Sequence, residues 1–255
     1  MGRLAETYDF AIQTVADIER AAVQLRCAGE ALGGFRVATC DNIASKIPMQ
    51  DGMGNVLAES VFGWTEPDER WWDNKLLALI SPLPRACRYE SEPFWCNATG
   101  FFTRQPNPYL KSIQIGDLET YINALAVIVV PIHLPFGQIG AVSWTPTDGQ
   151  SDLSAEFDQY GDDLQLLSQR FITGYFKVMR HDTWLPADCQ LTKREVECLR
   201  WAAMGKTDKE ISMILSRSHA TIRFHIHNAG EKLLSVNRSQ TLFKAAQLGY
   251  IGLSN

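Results

Sequence analysis

The spacing of apolar positions changes character several times along the chain. Residues 4–32 carry apolar side chains at three- and four-residue steps. This predicts one amphipathic helix, or two with a break, closed by Gly33-Gly34. Phe35-Arg-Val-Ala-Thr-Cys40 then reads as a strand. From Ala124 to Thr145 the pattern predicts a hairpin. Ala-Leu-Ala-Val-Ile-Val-Val-Pro-Ile-His is a nearly continuous run, Pro135-Phe-Gly137 supplies the turn, and Ile139-Gly-Ala-Val-Ser-Trp144 returns. A run apolar at successive positions predicts a sheet covered on both faces. Helical spacing resumes over 153–180, through Leu153, Phe157, Leu164, Leu167, Phe171, Phe176 and Met179. The stretch 181–190 is polar with one proline and reads as a linker. The order predicts an α/β/α sandwich with an antiparallel sheet over 1–180, followed by an all-α four-helix domain over 191–255.

The last four helices are the most sharply punctuated. Thr192-x-x-Glu195 is a capping box opening a helix from Arg194 to about Met204, which Gly205 ends. Thr207-x-x-Glu210 is a second box, whose helix turns Ile211, Ile214 and Leu215 inward. Ser216-Arg-Ser218 makes a turn, and Ser218 caps a third helix. Ile222, Ile226, Ala229 and Leu233 form the inner stripe of that helix. His219, Ala220, Arg223 and His227 fall on another face. A short helix, a tight turn and a helix with a polar, positive face predict a helix-turn-helix, whose recognition helix enters the major groove of duplex DNA. Arg223 suits a guanine edge, because its guanidinium matches O6 and N7 together. His227 lies one turn on and suits a base edge or a phosphate. Thr207, Arg217, His219, Thr221 and Lys232 are phosphate candidates.

Charge supports the division. The chain carries a formal net charge of -5, which alone argues against nucleic acid. Residues 191–255 hold 10 Lys/Arg against 5 Asp/Glu, and the rest of the chain 14 against 24. A basic module on an acidic body fits DNA binding. The six cysteines form no C-x-x-C pair, and His225-x-His227 has no partner pair at zinc spacing, so free thiols in a reducing cytoplasm and no metal are expected. No stretch has a signal-peptide or membrane-spanning pattern. Nucleophile elbows, phosphate loops and paired-carboxylate motifs are missing, so neither an enzyme nor a cofactor is expected.

The residues Leu191-Thr-x-Arg-Glu195, Leu199, Ala203-x-Gly205-Lys-Thr, Lys209-Glu-Ile211, Leu215, Ser218-x-x-Thr-Ile222, His225, Lys232-Leu233 and Val236-x-Arg238 resemble the LuxR-type helix-turn-helix. The resemblance implies a transcription regulator. It also implies a last helix, about Arg238 to Leu248, in which Leu242, Ala245, Ala246 and Leu248 serve either a dimer contact or the domain's own core. The chain departs in the turn, with Ser216 where the family has a glycine and Arg217 where it has an apolar residue.

Upstream, the segment 62–102 gathers Phe62, Trp64, Trp71, Trp72, Tyr89, Phe94, Trp95, Phe101 and Phe102. Clustered tryptophans point to a pocket wall with polar handles, or to core or a dimer surface. Pro82, Pro93-Phe-Trp95 and Pro131-Ile-His-x-Pro-Phe-Gly137-x-Ile-Gly140-Ala-Val-Ser143 resemble the autoinducer-binding domain of quorum-sensing LuxR proteins. That domain binds N-acyl-homoserine lactones. Its ligand motif has a Trp, a Tyr four positions on, and an Asp-Pro pair nine positions after the Tyr. Anchored on Pro82, this chain has Asp68, Trp72 and Ser81 at those places, with Trp64 as an alternative source of the indole. A hydroxyl in place of a carboxylate accepts a bond roughly half as strong. The expected ligand is therefore a small amphiphile other than a standard acyl-homoserine lactone. Trp64, Trp72, Ser81, Trp95 and Ser143 lead the wall candidates, followed by Tyr89, Trp71, Phe101 and Asp68. The expected whole is a cytoplasmic, homodimeric, ligand-controlled regulator reading a near-palindromic site. The alternative is a ligand-independent regulator whose N-terminal half serves dimerisation or protein contact.

Overall fold

A computed structural model of the chain describes residues 8–66, 81–116, 118–179 and 188–252. These divide into two compact units, with the main division between residues 180 and 181.

The first unit opens with α1 (Ile18–Gly33), then β1 (Phe35–Cys40), α2 (Leu57–Ser60) and α3 (Pro82–Ala86). It continues with β2 (Phe94–Asn97), β3 (Gly100–Thr103), α4 (Leu118–Ile122), β4 (Ala126–His133), β5 (Ile139–Pro146) and α5 (Ser154–Met179). Helix α1 starts later than the apolar spacing predicts. The Asp17 carboxylate accepts the amides of Thr14 at 2.9 Å and Gln13 at 3.1 Å, which ends the preceding loop in a 3-10 turn over Val15–Asp17. At the other end, Gly34 closes α1 in the left-handed conformation (φ 64), as the Gly-Gly pair predicts.

The five strands form one antiparallel sheet in the order β1-β5-β4-β2-β3. The β4–β5 hairpin is the one the hydrophobic run predicts. The β2–β3 hairpin lies inside the aromatic segment, whose Phe-Trp and Phe-Phe pairs suit a pleated surface. Pro131 is tolerated in β4 because β2 pairs with it only as far as Val129.

Alternation divides the sheet into two faces. Phe35, Val37, Ile128, Ile132, Val142 and Trp144 are buried on one, the face that packs under α1 and α5. Two glycines allow this close approach. A Cβ on Gly29 would stand 2.9 Å from the Trp144 ring, and one on Gly140 would stand 2.8 Å from Ile172 and 3.0 Å from the Cys40 carbonyl oxygen. The buried Trp144 indole donates to Ser168 Oγ at 3.2 Å. On the opposite face Phe94, Cys96, Val127 and Val129 pack with Leu83, Ala86, Leu110, Ile113 and Leu118. Both faces are thus covered, and the unit is the expected α/β/α sandwich.

The second unit is four helices: α6 (Lys193–Ala203), α7 (Asp208–Ile214), α8 (His219–Lys232) and α9 (Arg238–Gln247). Thr192, Thr207, Ser218 and Asn237 each cap their helix by accepting the amide three residues on. Ile222, Ile226, Ala229 and Leu233 are all buried, the predicted inner stripe of α8. Among the described residues, no helix is long and apolar enough to cross a membrane.

Candidate DNA-reading helix and ligand-facing sheet

The α7–α8 turn is made despite its departures from the family pattern. Ser216 takes a left-handed backbone (φ 51), the conformation a glycine adopts freely. Arg217 is exposed, so its charge stays in water. Its amide bonds the Ser212 carbonyl at 2.9 Å, which fixes the entry to α8.

On α8, Ala220, Arg223, Phe224 and His227 are exposed, away from the buried stripe. They form two rows one turn long, Ala220–Phe224 and Arg223–His227. The first was only half read from sequence, because Phe224 was not singled out. Its signal was its place outside the core stripe. His219 borders an open depression that Ala202, Gly205, Lys206, Thr207, Asp208, Lys209 and Arg238 also line, with Asp208 bound to Arg238. Lys206 and Lys209 thus join the phosphate candidates.

Several sequence-nominated residues have internal work instead. Lys232 donates to both carboxylate oxygens of Glu195, at 3.0 and 2.9 Å, and so ties α8 to the start of α6. Glu195 is buried. Its burial pushes the carboxyl pKa up, but the Lys232 ammonium and the amide and hydroxyl of Thr192 outweigh this and hold it below its ordinary value. Lys232, a phosphate candidate by sequence, thus holds an ion pair within the unit while its side chain stays 37% exposed. The Thr207 hydroxyl donates to Glu210 at 2.8 Å while accepting the Glu210 amide at 3.3 Å. Thr221 Oγ1 and Ser218 Oγ share a hydrogen bond of 2.8 Å. Arg238 binds the Asp208 carboxylate and the Lys206 carbonyl, and so pins the start of α9 to the loop before α7. On α9, Ala245 is buried, and Leu242 and Leu248 pack into the same core, which leaves Ala246 exposed.

In the first unit the aromatic cluster does not act as one wall. Cross-strand register places Trp95 opposite Ile128 and Phe102, on the α5 face of the sheet. There its ring stacks on Phe102 with centroids 4.0 Å apart. Ser143 pairs with Ala38 and Val129, on the other face. Phe101 is on that face too, edge-on to Phe94 at 5.7 Å. Trp95 and Ser143 therefore share no wall, which corrects their grouping. The buried Trp64 indole N–H donates to the Val37 carbonyl at 2.6 Å, and Arg36 covers its ring at 3.7 Å. Its donor is thus engaged at the edge of β1. Tyr89 is 55% exposed and stacks on Tyr109, so it belongs to the surface. Asp68, Trp71 and Trp72 lie outside the described residues.

Phe101 and Ser143 face the same side of the sheet by register. Ser81 is buried at the head of α3, whose Leu83 and Ala86 pack on the same sheet face as Phe94 and Val129. Beside them Ala38, Cys40, Ile139 and Ala141 are half-buried. Burial pushes the Cys40 and Cys87 thiols up to about 12 and raises Cys96 further. They stay protonated at neutral pH, so this floor carries no thiolate charge and the thiols are poor nucleophiles. Among the described residues no group of three or more His, Cys, Asp or Glu is placed to hold a metal.

The four capped helices and the exposed rows on α8 define a helix-turn-helix module. Residues 189–245 match the family model described as bacterial regulatory proteins, luxR family, and this segment is a LuxR-type helix-turn-helix domain. The chain is similar to the transcriptional activator protein VanR of Vibrio anguillarum, at 37% identity over 48% of this chain and 50% of that protein. The match thus spans about half the length of that relative. It is also similar to the quorum sensing-dependent regulator RpaR of Rhodopseudomonas palustris, at 29% identity over 75% of this chain and 74% of that one. Among solved structures, Escherichia coli SdiA aligns over 92% of this chain and 94% of its own, with 20% identity and a TM-score of 0.48.

Proposed function

We propose that the chain is a LuxR-type transcription regulator that works as a cytoplasmic homodimer on near-palindromic duplex DNA, controlled by a small amphiphile in its N-terminal unit. The observation that carries the DNA reading is the exposed Arg223–His227 row on a buried-backed, capped recognition helix. Arg223 takes a guanine edge and His227 its neighbour, while Arg217, His219, Lys206 and Lys209 meet phosphates. Two-fold symmetry of the protein would then be matched by two half-sites.

For the ligand, the supporting observations are the half-buried floor of β1 and β5, the sheet face that Phe101 and Ser143 share, and the burial of Ser81 at the head of α3. An uncharged floor edged by hydroxyls suits a neutral amphiphile. A standard acyl-homoserine lactone fits less well, because Ser81 offers no carboxylate and the Trp64 N–H is already bonded to Val37. The experiment is mass spectrometry of small molecules carried by the purified full chain, repeated on Ser81→Ala. The expected result is one bound amphiphile whose retention drops in the variant. A chain that carries nothing and whose melting midpoint no cell extract raises would favour the ligand-independent alternative.

A further inference from the structure

Phe224 is 59% exposed in the middle of a helix whose other large apolar residues are buried. At about 100° per residue it stands roughly opposite Ile222, in one row with Ala220 and beside Arg223. The ring leans edge-on to His225, with centroids 5.8 Å apart. It has no hydroxyl or charge, so it offers nothing to phosphates or to water. An exposed apolar row beside an arginine has one matching feature in a major groove, the C5-methyl group of thymine.

We propose that Phe224, supported by Ala220, is a specificity-determining residue that reads a thymine methyl next to the base pair taken by Arg223. The inference rests on the DNA-binding reading above and adds a base identity to it. Adjacent residues on a helix start about 1.5 Å apart along its axis, and base pairs rise about 3.4 Å. The thymine therefore lies within about two base pairs of the guanine, on either strand. A polar residue at 224 would leave a site read by hydrogen bonds alone. Phenylalanine makes the half-site sensitive to a group that forms none.

The test separates this from the parent reading. The full chain is used to select duplexes from a random pool, and each thymine of the selected site is then replaced by deoxyuridine, which removes only the methyl. Native protein is expected to lose about fourfold in affinity at one thymine per half-site, the worth of one buried methyl. Phe224→Ala is expected to bind the thymine duplex about tenfold more weakly and to make no distinction between thymine and uracil there. Phe224→Leu should keep part of the distinction. Binding of the alanine variant to random-sequence DNA at low salt should match native, because it rests on phosphates. That match shows the fold is intact. Indifference of the native protein to uracil at every thymine overturns the proposal, as does an undiminished distinction in Phe224→Ala. Enrichment of no duplex at all overturns the DNA-binding reading itself.

Discussion

In the helical unit, a side chain within three residues marks each helix start. Thr192, Thr207, Ser218 and Asn237 each bond the amide of the residue three places on. In the sheet unit, the key placements come from partners far apart in the chain. Val37 faces Trp144 across β1 and β5, Trp95 faces Ile128 across β2 and β4, and Trp64 donates to Val37 from 27 residues away. The two exposed rows of α8 follow from helical period alone. The sheet face that carries Phe101 and Ser143 exists only after five strands have paired. This difference teaches where each half is fragile: the first in its caps and ion pair, the second in its close approaches.

The largest expected effect breaks the sheet unit alone. Gly140→Ala places a Cβ 2.8 Å from Ile172 and 3.0 Å from a backbone oxygen that cannot swing away. It should destabilise that unit by about 2–3 kcal/mol, read as an early unfolding transition while the helical unit keeps its own. A single transition at the native midpoint would refute the close-packing account.

Next in size is a break confined to the helical unit. Glu195→Gln removes the buried charge that Lys232 binds, while its amide oxygen can still accept the Thr192 amide and keep the capping box. Lys232 is 37% exposed, so the cost falls below the full range for a buried pair, at about 2 kcal/mol. Its pH signature has a definite sign. The folded carboxyl lies below its ordinary value of 4.5, so its stabilisation is fully present above that value and is lost as pH falls through the lower, folded one. The stability gap between native and Glu195→Gln should therefore shrink in acid denaturation profiles. A gap constant down to the acid limit would remove the ion pair from the account.

The smallest effect sharpens the contrast by improving a local signal. Ser216→Gly relieves a left-handed backbone at φ 51 and should raise the stability of the helical unit by roughly 0.5–1 kcal/mol. Calorimetry of the two proteins checks it, and a drop in the midpoint would show that the serine makes a compensating contact.

The reading of particular residues shows how legible the chain was. The capping boxes, the inner stripe of α8, strand β1, the β4–β5 hairpin and helix α5 all stand where apolar spacing and punctuation place them. The start of α1 does not, because Asp17 takes the amides that would have continued the helix upstream. The β2–β3 hairpin was hidden, because four-residue strands of adjacent aromatics show no alternation to read. Lys232 looked like a surface cation, and only folding brings Glu195 to it across 37 residues.

By itself the sequence determined the capped helices of a LuxR-type helix-turn-helix segment and the buried stripe of α8. Helical faces repeat every 3.6 residues, so a local stripe of apolar residues tells every other residue of the helix where to point. Only the tertiary structure decided that Phe101 and Ser143 share a face of the sheet while Trp95 turns to the other side. Alternation in a strand says that neighbours face opposite ways. Which way each faces is set by register with strands distant in the chain, and a shift of one residue reverses it.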